Sequence, residues 1–301
     1  MEEEGIVPNN VAFNTAINAC RKEGQWKQAL QLLGSMKAAN IRRDTITYTN
    51  VLQSFELSGE WRKAVEILRE SRKDNIYPDV YMYQSAIRTC GLARNAQVAL
   101  GIYKSVNLKS EVKRGDMVRL CNTVLSAFSR NGDWQMCEIL LEELKDMGLF
   151  PNLASWNNLI NAYGRAGMYQ ESLAVLERCR VAGIELDSSS YNIAMNACAV
   201  AKVLEPAWDL MDKVLQMKGL DQKKLAFSYD TIANVCAQCA NPWKAKEVLD
   251  QMKERGLRCT DFTYNGTIVA CMKMDPKKEE VPWKMALEVY DEMERSSIFS
   301  K

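Results

Sequence analysis

Apolar residues along this chain recur at helical spacing, and the helical stretches come in pairs. Phe13, Ile17 and Cys20 share one stripe, and Leu30, Leu33 and Met36 share the stripe of the stretch that follows. The pattern then starts again. Phe13, Tyr48, Tyr83, Trp156, Tyr191, Tyr229 and Tyr264 each open an apolar helical stretch, and the residues after them are Asn14, Thr49, Gln84, Asn157, Asn192, Asp230 and Asn265. Leu120 to Thr123 fills the gap in this series with one extra residue, so that Asn122 takes the equivalent place. Spacings between successive markers are then 35, 35, 38, 35, 35, 38 and 35 residues, a period that identifies tandem repeats.

Other residues keep the same beat. Trp26, Trp61 and Trp134 stand twelve residues after their markers, with Tyr169 in the same place, and Gly24, Gly59, Gly132 and Gly167 lie two residues earlier. Glycine there predicts a turn between two helices that needs positive φ. Ala29, Ala64, Ala99, Ala207 and Ala245 follow as small residues that let helices approach closely. Units close on segments such as Ile76-Tyr77-Pro78-Asp79 and Leu149-Phe150-Pro151-Asn152, where proline stops one helix and Asp or Asn caps the next. The prediction is all-α, with seven helix pairs at 10–44, 45–79, 80–117, 118–152, 153–187, 188–225 and 226–260. Residues 1–9 read as the closing loop of a preceding repeat, and 261–301 as a modified or truncated eighth. One pair cannot bury both its faces, so stacking of neighbours must supply the core.

Cysteines follow the repeat as well. Cys20, Cys90, Cys198, Cys236 and Cys271 lie six residues after their markers, where other units carry Phe55, Phe128 and Tyr163. That shared place predicts small apolar packing residues, and the single C-x-x-C of Cys236 and Cys239 belongs to it rather than to a metal or redox site. Histidine is absent altogether, which removes Ser-His and Cys-His nucleophile pairs and every His-containing zinc site. The chain is therefore read as no enzyme, with no catalytic residue, metal site or cofactor. No run of eighteen apolar residues occurs, so no membrane insertion is expected, and the first ten residues carry no targeting pattern. The charged stretch from Lys277 to Glu280 reads as a solvated loop. With 39 basic against 38 acidic residues, the balance weighs against a grip on nucleic acid made mainly through phosphates. The last helix carries Met285, Leu287, Val289, Tyr290 and Met293 with no polar capping helix after it. That pattern leads us to expect a fragment of a longer array or a last repeat covered by a protein partner.

A 35-residue helix pair with an aromatic-Asn opening, a glycine turn, Ala-Leu in the second helix and a Pro-Asp closing loop resembles the pentatricopeptide repeat. The resemblance covers almost the whole chain. The Ala-x-Asn-Ala-Cys opening followed by Gly-x-Trp is similar to the variant found in algal and protist arrays. What the resemblance implies is a right-handed α-solenoid of stacked antiparallel helix pairs, about seven 35-residue repeats plus the modified eighth, that binds single-stranded RNA. It implies an organellar location, chloroplast or mitochondrion, and action by occupancy in RNA stabilisation, processing or translation. Base choice would rest on the marker and the last residue of the same unit: Asn14 with Asp44, Thr49 with Asp79, Asn122 with Asn152 and Asn157 with Asp187. These pairs would favour U, G, a pyrimidine and U in turn, while Gln84, Asn192, Asp230 and Asn265 are base-binding markers without an assigned closing partner. Three residues before their markers, Val11, Ile46, Phe227 and Phe262 would clamp the base, a pattern from which Arg119, Ala154 and Ser189 depart. Eight residues after, Lys22, Arg130, Arg165 and Lys273 would reach phosphate, a place held elsewhere by Leu57, Leu92, Val200 and Gln238.

Two structural explanations stand beside this one. A hydrogen-bond ladder between repeats produces the same recurrence of asparagine, and Asp44, Asp79 and Asp187 also suit ordinary helix caps. The alternative function is a scaffold subunit of an organellar complex with little or no sequence-specific RNA binding, which the near-neutral charge favours.

Overall fold

The computed structural model describes residues 8–106, 113–274 and 282–296, and the periodic stretches within them are helices. Four pairs come first: α1 (Asn10–Lys22) and α2 (Trp26–Ala38), α3 (Thr45–Ser54) and α4 (Trp61–Lys73), α5 (Val80–Leu92) and α6 (Ala96–Lys104), α7 (Arg114–Asn131) and α8 (Trp134–Asp146). Four more follow: α9 (Leu153–Arg165) and α10 (Tyr169–Val181), α11 (Ser188–Ala201) and α12 (Glu205–Leu215), α13 (Gln222–Gln238) and α14 (Pro242–Glu254), α15 (Asp261–Lys273) and α16 (Trp283–Arg295). The described residues contain no strand. The stretch from Lys277 to Glu280 lies outside them. By its contacts the chain divides into two compact units, Met1–Asn158 and Leu159–Lys301, with the division inside α9.

In each of the first seven pairs the turn is made by a residue in the left-handed region, while the connection from α15 to α16 lies largely outside the described residues. Gly24, Gly59, Gly132 and Gly167 have φ of +67°, +68°, +75° and +79°, as the turn requires. In three pairs that lack glycine there, Arg94, Lys202 and Ala240 take the same conformation at φ of +58°, +56° and +52°. An L-residue pays steric strain of roughly 1–2 kcal/mol in this region. The turn geometry is thus imposed by helix packing, and glycine only makes it easier.

The first helix of most pairs starts on a side-chain cap. Asn9, Asp44, Asp79, Asp187, Asp221 and Thr260 each accept a hydrogen bond from the backbone N–H three residues on. The longer 38-residue spacings are absorbed in the same place: α7 has 18 residues and α13 has 17, against 13 in α1, α5, α9 and α15. Their extra residues extend the helix at its start, so α7 and α13 begin at Arg114 and Gln222, before the boundaries read at 118 and 226.

Packing joins first helices side by side. In the first unit α1, α3, α5 and α7 form one row, and in the second α11, α13 and α15 form another. Tyr48, Tyr83 and Tyr229 are fully buried in these rows with Leu52, Ile87 and Ile232. Their hydroxyls still find partners, as burial demands. Tyr48 donates to Asp74, which also pairs with Arg43 at 2.7 Å, and burial together with that carboxylate pushes the phenol well up. Tyr83 accepts from Arg72 at 2.7 Å, and Tyr229 donates to Gln251 at 3.5 Å. First helices also touch through missing side chains. A Cβ on Gly91 would lie 2.8 Å from that of Ala127, and one on Gly164 2.7 Å from that of Ala197. All ten cysteines are free thiols. Cys90, Cys198 and Cys236 are fully buried, and burial pushes them up to about 12, 11 and 12, as packing residues rather than nucleophiles.

The strain at Ala240 is removable. Ala240→Gly should raise stability by about 0.5–1 kcal/mol, the relief of left-handed strain less the flexibility glycine adds to the unfolded chain. Urea unfolding of the two proteins measures it, and a midpoint that falls would show that the turn is not under strain.

Candidate functional site

Helical periodicity sets which side chains of a first helix share its free edge. Residues three before the marker, the marker itself, and those four and eight after it fall on one face. The structure shows what that face offers in each unit.

In the first unit a cleft of about 570 Å³ runs across α5, α7 and the start of α9. Markers Gln84, Asn122 and Asn157 all line it, together with the guanidinium-bearing Arg88, Arg119 and Arg130. No carboxylate lines it among the described residues. Arg119 lies 3.6 Å from Asp116 and 6.0 Å from the centre of the Tyr81 ring, and Arg88 lies 3.8 Å from Glu56. Arg119 and Arg88 thus each have an acidic partner outside the lining, while the lining itself carries three cations and no anion among the described residues. A chain of net charge +1 therefore concentrates positive charge in one place.

Two of the predicted pairs of marker and closing residue, Asn122 with Asn152 and Asn14 with Asp44, are hydrogen-bonded to each other. Asn122 Nδ2 donates to Asn152 Oδ1 at 3.0 Å, and Asn122 Oδ1 accepts from Ser155 at 2.6 Å. Asn14 Nδ2 donates to Asn10 at 2.6 Å and to Asp44 at 3.5 Å. Burial alone would push the Asp44 carboxyl up, but hydrogen bonds from Thr47, Asn10 and Asn14 outweigh it and hold the group below its ordinary value. Thr49 turns its hydroxyl back to the Thr45 carbonyl at 2.7 Å, while Asp79 caps α5. Asn152 and Asp187 are exposed and accept from the backbone N–H of Ser155 and Ser190, at 3.1 and 2.9 Å.

A structural ladder would satisfy both ends of each amide. At Asn14, Asn157 and Asn192 the carboxamide oxygen is shielded and has no donor among the described residues, at a cost of about 1–3 kcal/mol each. Only Asn122 is satisfied at both ends by the bonds above. The row is thus poorly made as a ladder.

In the second unit a cleft of about 530 Å³ lies along α11, α13 and α15, lined by Phe227, Asp230, Asn234, Phe262 and Asn265 among others. No lysine or arginine lines it. Asn192, read as a base-binding marker, is only 4% exposed, and Asn196, one turn further along α11, lines the cleft instead. The four clamp positions stand free: Val11, Ile46, Phe227 and Phe262 are 60–76% exposed. Lys22, Arg130 and Arg165 are exposed, and so is Lys273, whose ammonium donates to Gln238 at 2.8 Å, its counterpart on the neighbouring helix.

Three residues on this surface escaped the sequence reading. Tyr81 stands three before Gln84, an aromatic in the clamp row, and is 55% exposed. Arg88 brings charge from the position four after a marker, and Thr260 stands 30 after Asp230 and donates its hydroxyl to that carboxylate. The offset from the marker was signal enough to find Tyr81 and Thr260.

Three family models match the sequence. The PPR repeat family matches residues 8–56 and 151–200, the pentatricopeptide repeat domain 66–113 and 107–166, and the PPR repeat 46–76 and 227–257. Together they span 8–200 and 227–257, well over half the chain. No curated protein matches it. A similar solved structure is the crystal structure of the pentatricopeptide repeat protein PPR10 in complex with an 18-nt psaJ RNA element. It matches at 21% identity and a TM-score of 0.72, over 99% of this chain and 42% of that one. The crystal structure of PPR10 from maize matches at 18% identity and a TM-score of 0.58, over 97% and 45%. The chain spans less than half the length of these proteins, and at such identity the likeness shows the fold, a solenoid of helix pairs.

Proposed function

The chain belongs to the pentatricopeptide repeat family, and from that premise we propose that it binds single-stranded RNA with sequence selectivity, at about one base per repeat. It acts by occupancy, covering a transcript in an organelle and so affecting its stability, processing or translation. PPR10, which shares the fold, has been crystallised with RNA. The observation that carries the reading is the cleft of the first unit, where three marker side chains and three arginines meet with no carboxylate among them. Amide groups offer both donor and acceptor to a base edge, and guanidinium groups pair with phosphate. The unsatisfied amide oxygens of Asn14 and Asn157 support it, because a purely structural ladder leaves them unexplained. In the first unit, by family resemblance, Asn14 with Asp44 favours U, Thr49 with Asp79 favours G, and Asn122 with Asn152 favours a pyrimidine.

Fluorescence anisotropy with RNA selected from a randomised pool, set against scrambled controls across a salt series, tests this. Selective binding that persists at moderate salt is expected. Replacing Arg88, Arg119 and Arg130 together by glutamine should flatten the dependence of log Kd on log salt by about 2, because each phosphate neutralised on a single strand contributes ~0.7 to that slope. Absent or unselective binding would leave the scaffold reading in its place.

Selection repeated with Thr49→Asn reads the base preference directly. One position of the recovered motif should change from G to U while the others stay, and an unchanged motif would remove Thr49 from the reading row.

A further inference from the structure

Asp230 is the one marker that is a carboxylate, and the structure surrounds it in its own way. It stands on α13 between two clefts of about 530 and 630 Å³, and Phe262 of α15 lines both. Phe227, three residues before Asp230 and so on the same helix face, lines the first, and both rings are exposed. Thr260 caps α15 and donates its hydroxyl to Oδ1 of Asp230. Oδ2 carries no hydrogen bond among the described residues. Burial raises the pKa of Asp230, and the Thr260 hydrogen bond opposes the shift without cancelling it. No lysine or arginine lines the smaller cleft; Lys223 and Arg258 line the larger one, and neither forms an ion pair with Asp230 among the described residues.

We infer that this cleft takes guanine, with the base's pairing edge on Asp230 and its ring against Phe227 and Phe262, an assignment that rests on the RNA-binding reading. A carboxylate accepts hydrogen bonds and cannot donate them. Guanine is the base whose pairing edge sets two donors side by side, N1–H and the N2 amine. Adenine and cytosine put an acceptor beside their single amine, and uracil flanks its one N–H with two carbonyls, so each meets the carboxylate with a repulsive lone pair. Two parallel charge-assisted hydrogen bonds to guanine give the Asp230 carboxylate donors beyond the single one it has from Thr260. Thr260 is a positioning residue, because it fixes the carboxylate's orientation through Oδ1. The aromatic faces hold any base by stacking, so affinity resides in the phenylalanines and the letter in Asp230.

Selection of RNA from a randomised pool by the full chain, repeated with Asp230→Asn, tests the assignment. The wild-type motif should contain a G that is lost in the variant, where an amide can pair with other edges. On a fixed RNA, replacing that G by A should weaken wild-type binding roughly tenfold or more and the variant's by far less. Phe262→Ala should weaken binding to every RNA and keep the G. Circular dichroism checks that the near-isosteric Asp230→Asn folds. Should it not, Thr260→Val, which removes the hydroxyl that orients the carboxylate together with its cap on α15, should lower the same preference for G once circular dichroism shows that it folds. RNA binding with a motif unchanged by Asp230→Asn overturns the guanine assignment and leaves the RNA-binding reading intact, whereas no RNA binding by the wild type overturns both.

Discussion

Side-by-side packing of first helices is the interaction on which the rest of this structure depends. A single amphipathic pair leaves apolar surface bare, and within each unit the neighbour's first helix covers it. Fully buried tyrosines fill the space, and where the helices come closest only glycine fits, as at Gly91 beside Ala127 and Gly164 beside Ala197. The same packing decides function. It fixes the spacing between marker side chains and turns their free edges into a continuous strip within each unit.

Local chemistry on that strip differs between the units. The first collects three arginines around its amides, while the cleft of the second has phenylalanines, amides and one carboxylate. Net charge, a property of the whole chain, says nothing of this contrast. A near-zero total is compatible with a cleft lined by cations alone when the acidic residues lie outside its lining, as Glu142, Glu177 and Asp250 do on second helices beside lysine or arginine.

Much of the fold was legible because each landmark answers a local requirement. Glycine at the turn, Asp or Asn before the first helix and a small residue or aromatic in the core recur since every unit meets the same geometry. The left-handed turns at Arg94, Lys202 and Ala240 were hidden, because tertiary packing imposes a conformation that their side chains do not favour. The longer spacings were visible, but not their absorption into the starts of α7 and α13, since a helix extended by one turn has the same periodicity as a shorter one. At the site, the marker row could be read from the period. Which atoms remain unsatisfied at Asn14 or Asn157, and that Asn192 is covered, depends on neighbouring helices far off in sequence. The cleft of Arg88, Arg119 and Arg130 joins two helices and three different offsets, a coincidence that no repeat alignment displays.

The central claim is that the free edge of the first helices is the RNA-binding surface. Ultraviolet crosslinking of the chain to a bound, photoactivatable RNA, followed by mass spectrometric identification of the modified residues, tests it most directly. The account predicts adducts along the clamp row, at positions such as Ile46, Tyr81, Phe227 and Phe262. Adducts confined to the second helices, α2, α4 or α16 among them, would contradict it.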